Sequence, residues 1–306
     1  MKRKHILGRI SGITLLAFLS LFINQLLSSP ERQDDVTSLH NQRTDIIEIH
    51  FIDVGQGDSI LIETSDASML IDAGENNKGT VVINYLKAQS IEKLDYVIGT
   101  HPHSDHIGGL DTVIKSIPVD NIILPPVSHT TQTYEEVLEA IEDADLQITM
   151  PVVGDKYTLG PATFTIIAPN SDDYQNLNNY SVGIKLTYGN NSFVFTGDAE
   201  ALAEKEMLKN GLDLSADVFK LAHHGSNTSN SVDFLDEVDP TFAIISAGID
   251  NEYGHPHSEV LQELSLRNTR LYRTDLQGTV VFTSDGKTIS VNTSEYKLTE
   301  DDLLND

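Results

Sequence analysis

The chain has no cysteine, and only 20 lysines and arginines stand against 46 aspartates and glutamates. The first absence excludes thiolate metal ligands, cysteine nucleophiles and disulfides together. Any metal must be held by His, Asp or Glu, donors typical of catalytic rather than Cys-rich structural sites. It also fits an exported bacterial protein that manages without disulfides. The shortage of bases leaves a formal charge of -26. Such a surface repels polyanions at long range and weighs against avid, non-specific DNA binding, which needs Lys and Arg on phosphates. A phosphate-containing substrate stays open, because divalent cations dominate the field of the site that holds them.

Long apolar runs are scarce too. One extends from about Ile10 to Leu27 behind Lys2, Arg3 and Lys4, and the first 28 residues hold no acid. Its length lies between a signal-peptide core and a spanning helix of about 17–20 residues. The leading bases place the N-terminus inside and the remainder outside. No A-x-A-like cleavage site stands near Ser28-Ser29-Pro30, so residues 1–28 read as a signal anchor rather than a cleaved signal peptide. Residues 29–45 read as a polar linker, 46–295 as the folded domain and 296–306 as a frayed acidic tail. The expectation is a monomer tied to the membrane by its N-terminal segment, or secreted, with its domain on the extracellular side.

The domain opens with strand-like alternation, Ile46-Ile47-Glu48-Ile49-His50-Phe51-Ile52, then Ser59–Glu63 and Met69–Asp72, separated by Gly- and Asp-rich turns. A short helix at Val81–Lys87, a strand at Leu94–Ile98, a strand at Asn121–Leu124 and a helix near Tyr134–Ile141 follow. The second half repeats this grammar, with strands near Thr163–Ala168, Ser181–Tyr188, Ser192–Thr196, Asp217–Ala222 and Thr241–Ala247. Helices are expected there at Ala199–Asn210, Val232–Val238 and Ser258–Ser265. Two strand-rich halves with interspersed helices predict an α/β fold, two sheets face to face flanked by helices, with loops meeting at one edge.

The most informative stretch is His101-Pro102-His103-Ser104-Asp105-His106, directly after the strand at Leu94–Ile98. Imidazole and carboxylate together suit zinc, manganese or iron. His101 and His103 can point to one side of an extended segment and bind one metal, while Asp105 and His106 reach a second. A solvated His-rich loop or a single structural zinc is the bland alternative. Phe193–Asp198 is a β-rich run that puts a carboxylate at a strand end, where Asp198 can bridge two metals; otherwise it caps the helix at Ala199–Asn210. Lys220-Leu221-Ala222-His223-His224-Gly225-Ser226 ends a further strand in adjacent imidazoles. Neighbours on an extended segment face opposite ways, so one binds metal and the other faces substrate or a carboxylate. Taking His223 as the ligand leaves His224, or His255 of Tyr253-Gly254-His255-Pro256-His257, to protonate a leaving group.

These ordered motifs resemble the metallo-β-lactamase superfamily. Asp53-Val54-Gly55-Gln56-Gly57-Asp58, Leu70–Gly74, Ser128-His129-Thr130-Thr131 and Lys220–Ser226 are similar to its branch that includes the soluble metallo-hydrolase domain of the competence protein ComEC. The resemblance runs from about Ile46 to Val291 and implies a four-layer αββα sandwich holding two divalent metal ions, Zn or Mn. One departure matters. The superfamily usually supplies a third His to the first metal, yet His129 is the only histidine between His106 and Asp198, and it lies early, before a helix. Leu177-Asn178-Asn179-Tyr180-Ser181 sits nearer the required place and offers only amide or hydroxyl oxygens, which makes the first site weaker, more exchangeable or manganese-leaning. His129, Ser181, Gly225 and Ser226 then read as substrate-side or supporting residues, and Asp58 and Asp72 as carboxylates that orient imidazoles.

The implied chemistry is hydrolysis by water whose pKa two cations lower, with Asp105 both a ligand and a holder of the nucleophile's proton. The resemblance implies a phosphate-ester substrate, DNA included, and the acidic surface favours a short or small one. Choline-phosphate and other envelope esters, lactones, or an idle metal-bound domain that binds a partner are the alternatives.

Overall fold

The computed structural model describes residues 46–304. The segments read as anchor and linker therefore lie outside the described residues. No helix among the described residues is long and apolar enough to cross a membrane.

Two sheets carry the fold. The first has eight strands in the order β15-β14-β1-β2-β3-β4-β5-β6, the second seven in the order β13-β12-β11-β10-β9-β8-β7. In the first, β1 (Ile47–Phe51), β2 (Ile60–Glu63) and β3 (Ser68–Ile71) are antiparallel, while β4 (Leu94–Ile98), β5 (Val119–Ile123) and β6 (Ile148–Thr149) continue parallel to β3. In the second, β7 (Lys156–Leu159), β8 (Ala162–Ala168), β9 (Gly183–Tyr188) and β10 (Asn191–Phe195) are antiparallel, and β11 (Val218–Lys220), β12 (Phe242–Ile245) and β13 (Arg270–Arg273) run parallel to β10. β14 (Val280–Ser284) returns to the first sheet beside β1, with β15 (Ile289–Val291) at its edge. The strands β6 and β7 lie where no strand was expected.

Period-two alternation explains the layering. Ile47, Ile49 and Phe51 of β1 face Phe164, Leu186 and Phe195 in a buried seam between the sheets. The opposite face of the first sheet, with Leu61, Leu70 and Val97, is covered by α1 (Gly79–Ala88), α2 (Ser104–Ile107), α3 (Leu110–Ser116) and α4 (Gln132–Asp143). The outer face of the second, with Val194, Phe219 and Ala243, is covered by α5 (Ala201–Asn210), α6 (Val232–Val238) and α7 (Ser258–Arg267). Three apolar seams between four layers give the expected αββα sandwich.

The C-terminal segment departs from expectation. Residues 296–304 do not fray. After α8 (Thr274–Gln277), β14 and β15, the Tyr296 amide donates to Leu271 O at 2.7 Å, and α9 (Glu300–Leu304) lies against α7. Arg273 Nη1 and the Tyr296 hydroxyl donate to Asp302 at 3.2 and 2.9 Å, and Leu298 and Leu303 pack on the outer core. The acidic run holds because Thr299 and Asp302 cap each other's amides, a capping box that fixes the turn.

Candidate metal centre

The donors gathered here follow the C-terminal ends of strands that have a parallel neighbour, where open sheets place ligand sites. Asp72 follows β3, His101–His106 follow β4, Asp198 follows β10, and His223 and His224 follow β11. Asp198 Oδ2 is the hub. It lies 3.2 Å from His106 Nε2, 3.6 Å from His224 Nε2, 3.7 Å from His223 Nε2 and 3.8 Å from His101 Nε2. Asp105, His106, Asp198 and His224 bring one donor atom each within 4.8 Å of one another. His101 Nε2 also lies 3.0 Å from His103 Nδ1, so those two rings meet beside the shared carboxylate.

The rings are held from behind. Asp72 accepts the Thr100 amide and hydroxyl at 2.8 and 2.6 Å and takes His106 Nδ1 at 2.8 Å. Ser246 O accepts from His224 Nδ1 at 2.8 Å. A carbonyl oxygen only accepts, so a neutral His224 carries its proton on Nδ1 and turns a lone pair on Nε2 towards Asp105 and Asp198. The hydroxyls of Thr100 and Ser181 stand 3.1 and 3.4 Å from His101 Nδ1, and Ser181 Oγ also accepts the Asp198 amide. Asp58 is 2.5 Å from Lys220 Nζ and 3.5 Å from His224 Nδ1. Asp72 thus lies behind His106, and Asp58 lies between Lys220 and His224; Lys220, Thr100 and the Ser246 carbonyl carried no signal in the sequence that singled them out.

The adjacent histidines show how the chain defeats a local rule. The segment is not extended: His223 and His224 both take left-handed φ, 51° and 56°. The His223 amide donates to Gly197 O, and the Asn230 side chain clamps Ala222 through both its amide and its carbonyl. Two successive left-handed residues cost of order 1–3 kcal/mol each and persist where surroundings over-determine them. Both rings consequently reach Asp198. His224, expected at the leaving group, is buried inside the donor cluster; His223, expected as the ligand, is partly exposed with Nδ1 3.1 Å from Thr228 Oγ1. Asp198 does not cap a helix, since α5 starts behind Glu200.

Electrostatics follow the crowding. Burial works against a charged His106, yet Asp198, Asp105 and Asp72 outweigh it and hold its pKa well above the usual value. His224 behaves likewise: despite burial, Asp198, Asp105 and Asp58 push it up to about 9. Burial disfavours the Asp198 carboxylate, but His106 and His224 overcome it and keep it well below the usual range. His255 goes the other way, down to about 3, through burial and the nearby rings of His224, His223 and His257. Its ring is neutral at pH 7, so the expected role as leaving-group acid does not suit it.

The donor set fits divalent cations. His106 Nε2 and Asp198 Oδ1 are buried without a hydrogen-bond partner, a costly state for polar atoms unless a cation meets them. A cavity of about 350 Å³ opens over the cluster, bounded by His103, Asp105, Asp198, His223, His224 and His255. Gln56, His129, Asn178 and Tyr253 also line it, while Ser226 and Gly225 lie behind the histidine pair and do not. Asn178 Oδ1 is buried there with no hydrogen-bond partner. Among the described residues, no lysine or arginine borders the cavity.

Residues 52–249 match the family described as Metallo-beta-lactamase superfamily. The chain belongs to that superfamily. Its curated relatives include ComE operon protein 3 of Bacillus subtilis, 32% identical over 77% of this chain and 33% of that protein. Another is Recombination protein 2 of Haemophilus influenzae, 30% identical over 91% of this chain and 32% of that one. Competence protein ComA of Neisseria gonorrhoeae is 30% identical over 75% of this chain and 31% of its own length. The chain thus spans about a third of the relatives it matches. Among solved structures, the metallo-beta-lactamase fold protein YhfI from Bacillus subtilis superposes with a TM-score of 0.53 at 15% identity, covering 78% of this chain and 100% of that one. That likeness is one of fold. Family and site together make this superfamily member a metallo-hydrolase related to competence proteins.

Proposed function

We propose that this chain hydrolyses phosphodiester bonds outside the cytoplasmic membrane, on DNA or a shorter phosphate ester, with two divalent cations, Zn or Mn. The observation that carries the reading is Asp198 Oδ2, one carboxylate oxygen within 3.8 Å of four imidazole nitrogens. Asp105, His106, His224 and Asp198 would hold one cation, and His101, His103 and Asp198 the other, with Asn178 on the same cavity wall where the superfamily usually has a third histidine. When bound, the cations would lower the pKa of water and offset phosphate charge, which the described cavity wall, lacking Lys and Arg, does not do.

The chain's own groups do the rest. Asp72 and the Ser246 carbonyl fix two rings so that Nε2 faces the reacting space, and Thr100 and Ser181 do so for His101. Asp105 accepts the proton of the attacking water. His223 and the neutral His255 line the open side and orient the ester oxygens by hydrogen bonds. Competence-protein relatives direct the choice towards DNA, while the acidic surface favours short single strands over long duplexes.

The test is hydrolysis of bis-p-nitrophenyl phosphate with Mn²⁺ or Zn²⁺, then of a single-stranded oligonucleotide against a choline-phosphate ester. Activity that chelation removes and D198A abolishes is expected, with the oligonucleotide preferred. No turnover with either metal, or full turnover by metal-loaded D198A, overturns the reading.

A further inference from the structure

A second group of metal-type donors lies on strand faces rather than on strand-end loops. Glu48 and Glu63 are directly opposite across the β1–β2 pair, and His50, two residues after Glu48, leaves the same face of β1. A ring nitrogen of His50 and one carboxylate oxygen from each glutamate lie within 4.8 Å of one another. None of the three takes part in the hydrolytic centre.

His50 supplies the independent observation. It is 3% exposed, deep for an imidazole on the helix-covered face of a sheet. Its Nδ1 meets the Tyr85 hydroxyl of α1 at 2.8 Å, whereas Nε2 is buried with no hydrogen-bond partner. A buried polar atom is normally paired, so this bare nitrogen, on a ring that clusters with two carboxylates, calls for an explanation. The arrangement is that of a ligating histidine: one nitrogen oriented by a hydroxyl, the other free for a cation. Burial lowers the His50 pKa more than Glu48 raises it, which keeps the ring in the neutral form that binds metal. With Nε2 turned to a cation, the ring proton sits on Nδ1 and is donated to the Tyr85 hydroxyl oxygen, which accepts it. Thr283 Oγ1 steadies Glu48 from β14 at 3.3 Å.

We propose that Glu48, His50 and Glu63 form a second divalent-metal site, of the three-donor zinc type, that ties β1 and β2 to α1 through Tyr85. The donor set of one imidazole and two carboxylates suits zinc with a fourth position left for water. Its position, on the sheet's covered face, makes its effect one on stability rather than on turnover. The proposal stands apart from the hydrolytic reading.

Zinc uptake by the full chain, followed by equilibrium dialysis and by melting temperature, tests it. In the D198A background, E48Q/E63Q should lower the bound zinc by one per chain. Zinc at a hundredfold excess over Kd should raise the D198A melting temperature by about 5–10 °C, and H50Q should erase that rise. Y85F, which keeps all three donors, should weaken binding by about 10–100-fold. In the otherwise native chain, E48Q/E63Q should lose one zinc equivalent and leave phosphodiester hydrolysis unchanged. Equal zinc stoichiometry with and without E48Q/E63Q overturns the proposal, whether or not the hydrolytic centre proves active.

Discussion

At the scale of single residues, the pair His223-His224 carries the sharpest lesson. Both rings lie within 3.7 Å of Asp198 Oδ2, but only His224 is buried among Asp105, His106 and Asp198 with its far nitrogen on a carbonyl. H224A should cost one bound metal per chain, measured by elemental analysis of the dialysed protein. H223A should keep the metal content and lower kcat by about 10²-fold or more. Equal metal loss in the two variants would reverse these assignments. Lys220 and Asp58 are a second case. Both are almost fully buried and 2.5 Å apart, so removing one partner strands a charge in a dry site. K220M alone should destabilise by roughly 3–5 kcal/mol in denaturant unfolding, and D58N/K220M should recover most of it. The charge of Lys220 was hidden in the sequence because a lysine before an apolar pair reads as an ordinary strand end.

At the scale of elements, the site is made by loops that lean on one another across the two sheets. The Asp58 amide donates to Asp105 O and the Val182 amide to Thr100 O, so the glycine-rich loop after β1 and the segment before β9 both brace the His101–His106 turn. Gly57 is needed for that closeness: its φ is +117°, and a Cβ there would stand 2.0 Å from the Asp105 carbonyl oxygen. G57A should therefore destabilise by about 2–4 kcal/mol and weaken metal binding, read by unfolding and by zinc titration of the same sample. An unchanged affinity would mean that Asp105 does not depend on this loop. Strands with strong alternation, such as β1 and β8, were legible, as were the long helices. The short strands β6 and β7 were not, because two to four residues carry too little pattern. The tail helix α9 was misjudged since charge alone suggested solvent; Arg273 and the Thr299–Asp302 box are what pin it.

At the scale of the whole molecule, the sandwich concentrates charge that the metals must balance. In the metal-free protein the carboxylates hold protons on His106 and His224, the latter up to about pH 9. Cation binding has to displace those protons, so it releases them and weakens as pH falls. Zinc affinity should rise from pH 6 towards about pH 9 and then level off, and calorimetry in buffers of different ionisation enthalpy should detect the protons. An affinity flat across that range would place the charge balance elsewhere.

The donor types, their order along the chain and the four-layer class were all determined by the sequence, because a chain without cysteine has few ways to hold a metal and because apolar periodicity reports layering directly. Ser181 and Asp72 could be named from it, but only as neighbours of ligands. Which of two adjacent histidines enters the cluster, that Lys220 underlies Asp58, and that Asn178 borders the cavity were decided by the tertiary structure alone. The reason is geometric: these facts depend on left-handed turns and on contacts between residues some 20 to 160 positions apart in the chain, and no local pattern encodes the angle at which such loops meet.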